Sequence, residues 1–319
     1  VTPAINLAIV GPTASGKTSL AVALARRHQD IELVSIDAKA VYRHLDIGTA
    51  KPTPDERHGL RWHLIDLVDP DEEFSVADFQ RAFLSVRSEI DGRANGAIYV
   101  GGTGLYHRAA VDGLELAGRY EHISTELEQR ATSPSGLAKL YEQLRALDPI
   151  AASRIECTNR RRLVRALEVT LGSGRPFSSF GTGMTDYRPT STALVGLVIS
   201  RELLSQRITE RLDAQFDAGL LDEVALLLRD YGPLSRTAGQ ALAYRELLDH
   251  LDGGCSLSEA RSLILSRTRR FARRQEAWFR RDPRVIWLDA LAPDLVDQVD
   301  QLVFTATDQP KRAQQPELS

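Results

Sequence analysis

Three short stretches carry side chains that could do chemistry together. The run Gly11-Pro-Thr-Ala-Ser-Gly16-Lys17-Thr18 has the spacing G-x-x-x-x-G-K-[ST]. In that pattern the glycines let the backbone turn so that its N–H groups converge on phosphate oxygens at a helix N-terminus. Lys17 adds a point charge and the Thr18 hydroxyl can ligate Mg2+. Gly11, Thr13, Ala14, Ser15, Gly16, Lys17 and Thr18 are therefore the expected phosphate cradle, with Thr18 as the metal ligand. Asp37 stands just after the apolar run ELVSI, where a carboxylate could hold magnesium, as in a triphosphatase, or act as a base. The third stretch, Gly101-Gly-Thr-Gly-Leu-Tyr106, follows AIYV and has no carboxylate at its start, so the usual magnesium-holding Asp of a triphosphatase is missing there. Its glycines permit close approach of a ligand and Thr103 offers a hydroxyl; a plain structural turn is the alternative.

Such residues need elements to hold them, and the hydropathy pattern predicts those elements. INLAIV, ELVSI and AIYV alternate with helical patterns from about Thr18 and from Ser75, the second capped by Ser75 and Asp78. This is the pattern of an α/β fold: a P-loop core with a parallel sheet flanked by helices. ALVGLVI at 193–199 resumes the sheet, so 113–187 reads as a mostly helical insertion domain, with helices at Gly136–Leu147 and at Arg160–Leu171, the latter between Asn159 and Gly172. A Gly/Ser/Thr-rich loop, 172–185, closes the insertion. The core would then comprise 1–112 and 188–308, nearly all helix over 201–281 with a short strand at Val285–Leu288, and 309–319 a disordered tail.

The 319 residues, 43% hydrophobic and 26% charged, suffice for one large core or two modest ones. No run is long and apolar enough for a membrane span and no signal peptide is evident, so a cytoplasmic protein is expected. Cys157 and Cys255 lie far apart and outside any metal-ligand spacing, and His63 reads as a hydrogen-bonded structural residue. The net charge of −3 hides clustering. Seven arginines fall between Arg267 and Arg281 against one acid, Glu276. At about 3.6 residues per turn, Arg269, Arg273 and Arg280 share one stripe, opposite Ile264, Phe271 and Trp278. That is a helix with one face for a core and one for phosphates, or simply a solvated basic face. Arg160, Arg161, Arg162 and Arg165 form a second cluster. Gln240 and Gln275 are candidate base readers or ordinary surface or helix-internal amides. Arg207 and Arg211 stand one turn apart on a helix, where Glu210 or Asp213 could pair with them.

GPTASGKT, IDAKAVYRHLDIGTAKP at 36–52, GGTGLY at 101–106, RRLVRALEV at 161–169 and RRQEAWFRR at 273–281 resemble, in order, the motifs of the tRNA dimethylallyltransferase family, a similarity running from about Leu7 to Asp289. The resemblance implies transfer of a dimethylallyl group from dimethylallyl diphosphate to N6 of the adenosine 3′-adjacent to the anticodon. It implies a P-loop that holds the leaving diphosphate with arginine help near Arg207 and Arg211. Asp37 would be the base and Thr103 its assistant. The anticodon stem-loop would be gripped by the insertion and contacted at Asp37, Ala38, Lys39, Ala40, Thr103, Arg161, Arg162, Arg165, Gln240, Arg245, Arg269, Arg273, Arg274, Gln275, Trp278 and Arg280, with the protein acting as a monomer. Adenine N6 is a poor nucleophile, so a carboxylate accepting its proton as the C–N bond forms fits that role.

Three positions depart from the family pattern: Ala38-Lys39-Ala40 for small polar residues and a glutamine, Ala243-Tyr244 for Gly-Tyr, and Ala277 for a threonine before Trp-Phe-Arg. They fall where RNA is expected, so they bear on RNA selectivity. Rival readings are prenylation of free adenine nucleotides, a P-loop small-molecule kinase and a noncatalytic RNA-binding module. The two arginine clusters and the insertion weigh against the first, the lack of recognisable nucleotide-binding side chains against the second, and the idle Lys17, Thr18 and Asp37 against the third.

Overall fold

The computed structural model describes residues 5–57, 59–180 and 186–303. The chain divides into two compact units, Val1–Val111 with Pro189–Ser319, and Asp112–Arg188. The proposed tail, 309–319, lies outside the described residues.

In the first unit the chain runs through β1 (Asn6–Val10), α1 (Lys17–Arg27), β2 (Ile31–Ser35), the single turn α2 (Pro54–Arg57), β3 (Trp62–His63), α3 (Val76–Gly92), β4 (Gly96–Val100) and α4 (Gly104–Val111). The second unit contains α5 (Glu121–Arg130), α6 (Pro134–Leu147), α7 (Pro149–Arg154), α8 (Arg160–Ser173) and α9 (Phe177–Phe180). The first unit resumes with β5 (Ala193–Val198), α10 (Arg201–Asp217), α11 (Leu220–Tyr231), α12 (Tyr244–Leu251), α13 (Leu257–Phe279), β6 (Ile286–Asp289) and α14 (Leu295–Val303).

All strand pairs are parallel, in the order β3-β2-β4-β1-β5-β6. A parallel sheet must be covered on both faces, and β1 shows why. Leu7 and Ile9 point to one side, packing with Leu20 and Leu24 of α1, Leu33, Ile98, Leu197 and Val299 of α14. Ala8 and Val10 point to the other, toward Val34, Phe79, Tyr99, Leu212, Tyr244, Ile264 and Phe279. The order reverses at β1, which has β4 on one side and β5 on the other. The crevice beyond the carboxyl end of that strand is where ligands of open α/β sheets bind.

Local signals set most element starts. Ser75 and Asp78 form a reciprocal capping box at α3, as do Ser256 and Glu259 at α13. In the second unit Ser133 caps α6, Asp148 caps α7 and the Asn159 side chain caps α8, around a core of Leu127, Leu140, Leu144, Leu163 and Leu167. The expected stop at Gly172 is corrected: α8 runs on to Gly174, whose left-handed backbone ends it, while Gly172 lies inside the helix where an added Cβ would strike the Tyr120 ring. The expected loop at 172–185 includes α9, and residues 181–185 lie outside the described residues. No helix of the described residues is long and apolar enough to cross a membrane.

Candidate active site

The cradle forms as β1 ends. Gly11 has φ +138°, and a Cβ there would lie 3.2 Å from Leu197 O, so only glycine lets the turn pass this close to β5. Gly16 is left-handed at φ 96° and starts α1 without a side-chain cap, and α1 has no acid in its first turn. The first N–H groups of α1 therefore stay available to an anion, with the positive end of the helix dipole behind them. The Ser15 Oγ is buried without a hydrogen-bond partner, a polar atom that a phosphate oxygen would satisfy. Lys17 Nζ donates to Pro12 O at 2.6 Å. Burial, then the nearby Arg211, pulls the Lys17 pKa down to about 7 against the opposing pull of Asp37.

Arg211 of α10 donates from Nη2 to Thr13 Oγ1 at 2.9 Å. Burial lowers its pKa and Asp37 raises it. Arg207, one turn earlier, is half-buried and makes no hydrogen bond or ion pair among the described residues. The pairings weighed from the sequence do not form: Asp213 binds Arg261 at 2.5 Å and Glu210 accepts from Gln206 at 2.7 Å. Two cations thus stand by the cradle with one carboxylate, Asp37, between the opposing effects.

Asp37 is held by its own turn. Its Oδ1 accepts the Lys39 N–H at 2.7 Å and the Ala40 N–H at 3.4 Å, and Oδ2 accepts no hydrogen bond among the described residues. Thr103 Oγ1 accepts the Ala38 N–H at 3.1 Å, bringing the GGTG turn alongside. The rest of the 36–52 motif is scaffold. The buried Lys51 donates to Tyr42 O, Asp46 Oδ1 and Asp66 Oδ1 at 2.8, 2.5 and 2.6 Å. Glu223 of α11 accepts N–H groups of Asp46, Ile47 and Gly48 and, at 2.5 Å, the Tyr244 hydroxyl. No sequence pattern announces Lys51 or Glu223: Lys51 meets two carboxylates and a carbonyl that come together only when the segment 42–66 folds, and Glu223 reaches backbone N–H groups of that segment from far along the chain.

The glycines of 101–104 are required by what packs on them. A Cβ at Gly101 would lie 2.0 Å from Ile36 O, at Gly102 2.0 Å from Gln275 Nε2, and at Gly104 2.2 Å from Trp278 Nε1. Gly104 also opens α4, so the stretch is a strand-to-helix turn with the inner face of α13 laid on it.

Several expected RNA contacts have other partners. Gln275 is corrected from base reader to internal tie: it is buried, its Oε1 accepts the Thr13 N–H at 2.8 Å and its Nε2 donates to Gly102 O at 3.0 Å. Arg269 turns inward, donating to Thr209 Oγ1 of α10 at 3.1 Å, so it is not on the open basic stripe. Arg165 binds the buried Glu168 at 2.7 Å and Ala117 O at 2.8 Å. Ala40 is buried, Lys39 Nζ donates to Thr237 O, and half-buried Trp278 lies against Gly104. The buried stripe of α13 is Ala260, Ile264, Thr268, Ala272, Gln275 and Phe279, with Phe271 at its margin instead of its centre. Arg273, Arg274 and Arg280 are exposed, although Arg280 stacks on Trp287 with its guanidinium 4.1 Å from the ring centre. Ala38 is half-buried, and Arg161, Arg162, Gln240 and Arg245 have exposed side chains. Ala243, one of the departures, is a buried N-cap at φ 72°, so the substitution there bears on backbone conformation. His63 does bind Glu32, at 2.6 Å.

Thr18, in the first turn of α1, offers a hard oxygen of the kind magnesium takes. No group of three or more His, Cys, Asp or Glu side chains among the described residues could hold a metal ion, so this fit extends only to an ion carried largely by phosphate and water.

A family model described as IPP transferase matches residues 40–282. The tRNA dimethylallyltransferase of a Nocardioides species is 45% identical over 302 residues, covering 95% of this chain and 96% of that one. The enzyme of the same name from Streptomyces avermitilis is 43% identical, covering 96% and 97%. The crystal structure of a tRNA isopentenylpyrophosphate transferase from Bacillus halodurans superposes with a TM-score of 0.68 at 37% identity, over 94% of this chain and 95% of that one. A eukaryotic dimethylallyltransferase acting on tRNA shares the fold, with a TM-score of 0.77 at 23% identity over 97% of this chain and 81% of that one. With a family model matched over residues 40–282 and relatives above 40% identity along nearly its whole length, the chain belongs to the IPP transferase family, that of the tRNA dimethylallyltransferases.

Proposed function

We propose that the chain transfers a dimethylallyl group from dimethylallyl diphosphate to N6 of the adenosine 3′-adjacent to the anticodon of tRNA, releasing pyrophosphate. The observation that carries this is the convergence of Lys17 and Arg211 on the cradle with Asp37, whose Oδ2 is unengaged, beside Thr103. A triphosphatase would use that carboxylate on a metal; here it is available to a proton.

In the step, the N6 lone pair forms a bond to C1 of the dimethylallyl group as the C1–O bond breaks and its electron pair leaves on pyrophosphate. Asp37 Oδ2 accepts the N6 proton and returns it to solvent. Thr103 orders the turn that carries Asp37 through the Ala38 N–H. The N–H groups of the cradle, Ser15 Oγ, Lys17, Arg207 and Arg211 bind the diphosphate, and their dipoles and charges match the charge building on it. Thr18 would hold a magnesium ion, which when bound supplies further charge neutralisation to the leaving group. An adenosine in a loop must leave its stack to reach Asp37. The exposed Arg273, Arg274 and Arg280, with Arg161 and Arg162 of the second unit, suit the phosphates of the anticodon stem-loop. We place the enzyme in the cytoplasm with its tRNA substrate, acting as a monomer.

The test supplies magnesium and labelled dimethylallyl diphosphate with unmodified tRNA, with AMP, and with an anticodon stem-loop whose target adenosine is guanosine. Label confined to the adenosine-bearing RNA is expected. Label on AMP would point instead to free nucleotides as acceptors, and ATP turnover without transfer would point to a kinase.

A further inference from the structure

Gln275 faces inward from a helix whose neighbouring Arg273 and Arg274 face outward. It touches two loops that leave the sheet from the neighbouring strands β1 and β4. The ladder between β1 and β4 runs out in a long bond, Gly101 N–H to Ile9 O at 3.4 Å. Beyond that point Gln275 spans the gap, taking the Thr13 N–H on its oxygen and giving its amide hydrogen to Gly102 O. From Gly102 the connection passes through Thr103 Oγ1 to the Ala38 N–H, next to Asp37. From Thr13 it passes through Oγ1 to Arg211. One neutral side chain thus ties the loop that holds the leaving group to the 101–104 turn, whose Thr103 in turn holds the loop that carries Asp37.

We propose that Gln275 is a positioning residue for the transfer reaction proposed above, setting the separation between the diphosphate cradle and Asp37. An uncharged carboxamide offers an acceptor and a donor at the right spacing. A carboxylate offers no donor, and a thioether offers neither. Because the residue is buried, water does not replace what is lost. Gly102 lacks a Cβ where Nε2 needs the space. The geometry of reacting groups is sensitive to small displacements, with about 1 Å worth roughly 100-fold in rate.

The experiment compares the full chain with its Gln275→Met and Gln275→Glu variants. Readouts are single-turnover transfer to tRNA at saturating substrates, pyrophosphate and tRNA dissociation constants, and Tm. For Gln275→Met we expect the saturated rate to fall roughly 10- to 100-fold while both dissociation constants stay within about threefold. In Gln275→Glu the introduced carboxyl can donate to Gly102 O only when protonated, so its rate relative to the parent should rise as pH is lowered from about 8 to about 6. A merely structural residue would not give that profile. An unchanged saturated rate in Gln275→Met, a loss confined to tRNA affinity, or a flat pH ratio for Gln275→Glu would each overturn the assignment. A parent chain that transfers nothing to tRNA overturns the reaction and this role with it, a result visible without any substitution.

Discussion

Arg211 Nη2 lies 2.9 Å from Thr13 Oγ1, so a cation from the helix after β5 is already fastened to the phosphate loop of β1. The loop is built to receive charge, and the strain of that preparation falls on Lys17, whose ammonium is buried beside a second cation. Binding an anion relieves it.

Diphosphate binding should therefore take up a proton. With Lys17 at about 7 in the free protein and raised in the complex, uptake approaches one proton above that pH. Affinity for pyrophosphate should fall as pH rises beyond about 7, toward tenfold per unit. Calorimetry in buffers of different ionisation enthalpy measures this, and Lys17→Met should abolish it.

Asp37→Asn keeps an oxygen for the Lys39 N–H but cannot accept a proton. Transfer should drop by about 10²- to 10⁴-fold with tRNA and pyrophosphate binding little changed. Near-normal single-turnover rates would remove Asp37 as the base.

The arginines should separate into two groups. Arg273→Glu and Arg274→Glu should weaken tRNA binding and lower the salt slope by roughly one per arginine removed, leaving pyrophosphate affinity alone. Arg165→Ala leaves the buried Glu168 without its cation and should instead destabilise the chain by about 3 kcal/mol. Filter binding across a salt series and urea denaturation distinguish the two outcomes.

Alanine at Gly101 and at Gly104 should differ although both sites are crowded. The first meets backbone at Ile36 O, which cannot move without dragging β2; the second meets the Trp278 indole, a side chain that can swing. We expect a loss above about 3 kcal/mol for Gly101→Ala and about 1 kcal/mol for Gly104→Ala by chemical denaturation.

Glu32 predicts an acid-sensitive fold. Burial would raise its pKa, but Arg93, His63 and Asn95 outweigh that and hold it down to about 2, from 4.5. Because the folded value is the lower, this stabilisation is complete above about pH 4.5 and lost as pH falls toward 2, a total of about 3 kcal/mol. Glu32→Gln should remove that dependence from the urea midpoint measured between pH 6 and 3.

The phosphate-loop turn, the turn that holds Asp37 and the sheet were legible in the sequence because each depends on neighbours a few residues away: two glycines, a lysine, a capping serine, a short apolar strand. Gln275, Arg165 and Arg269 were not, because helical periodicity says which way a side chain points but not what waits there. Gln275 lies on the buried stripe of α13, and its partners are backbone atoms of two distant loops. Lys51 and Glu223 escaped notice because the groups they bind are gathered only by the folded segment 42–66. Ala243 shows the converse case, where a departure read as an RNA contact proves to be a matter of φ.

The central position of β1 has a cost during synthesis. Leu7 pairs with Ala193, and β6 can join only through β5. At translation speeds of roughly 5 to 20 residues per second, the strand that carries the phosphate loop waits on the order of ten seconds or more beside the ribosome with one edge open. A nascent chain stalled within the second unit should therefore engage holding chaperones, and it should release them once β5 has emerged.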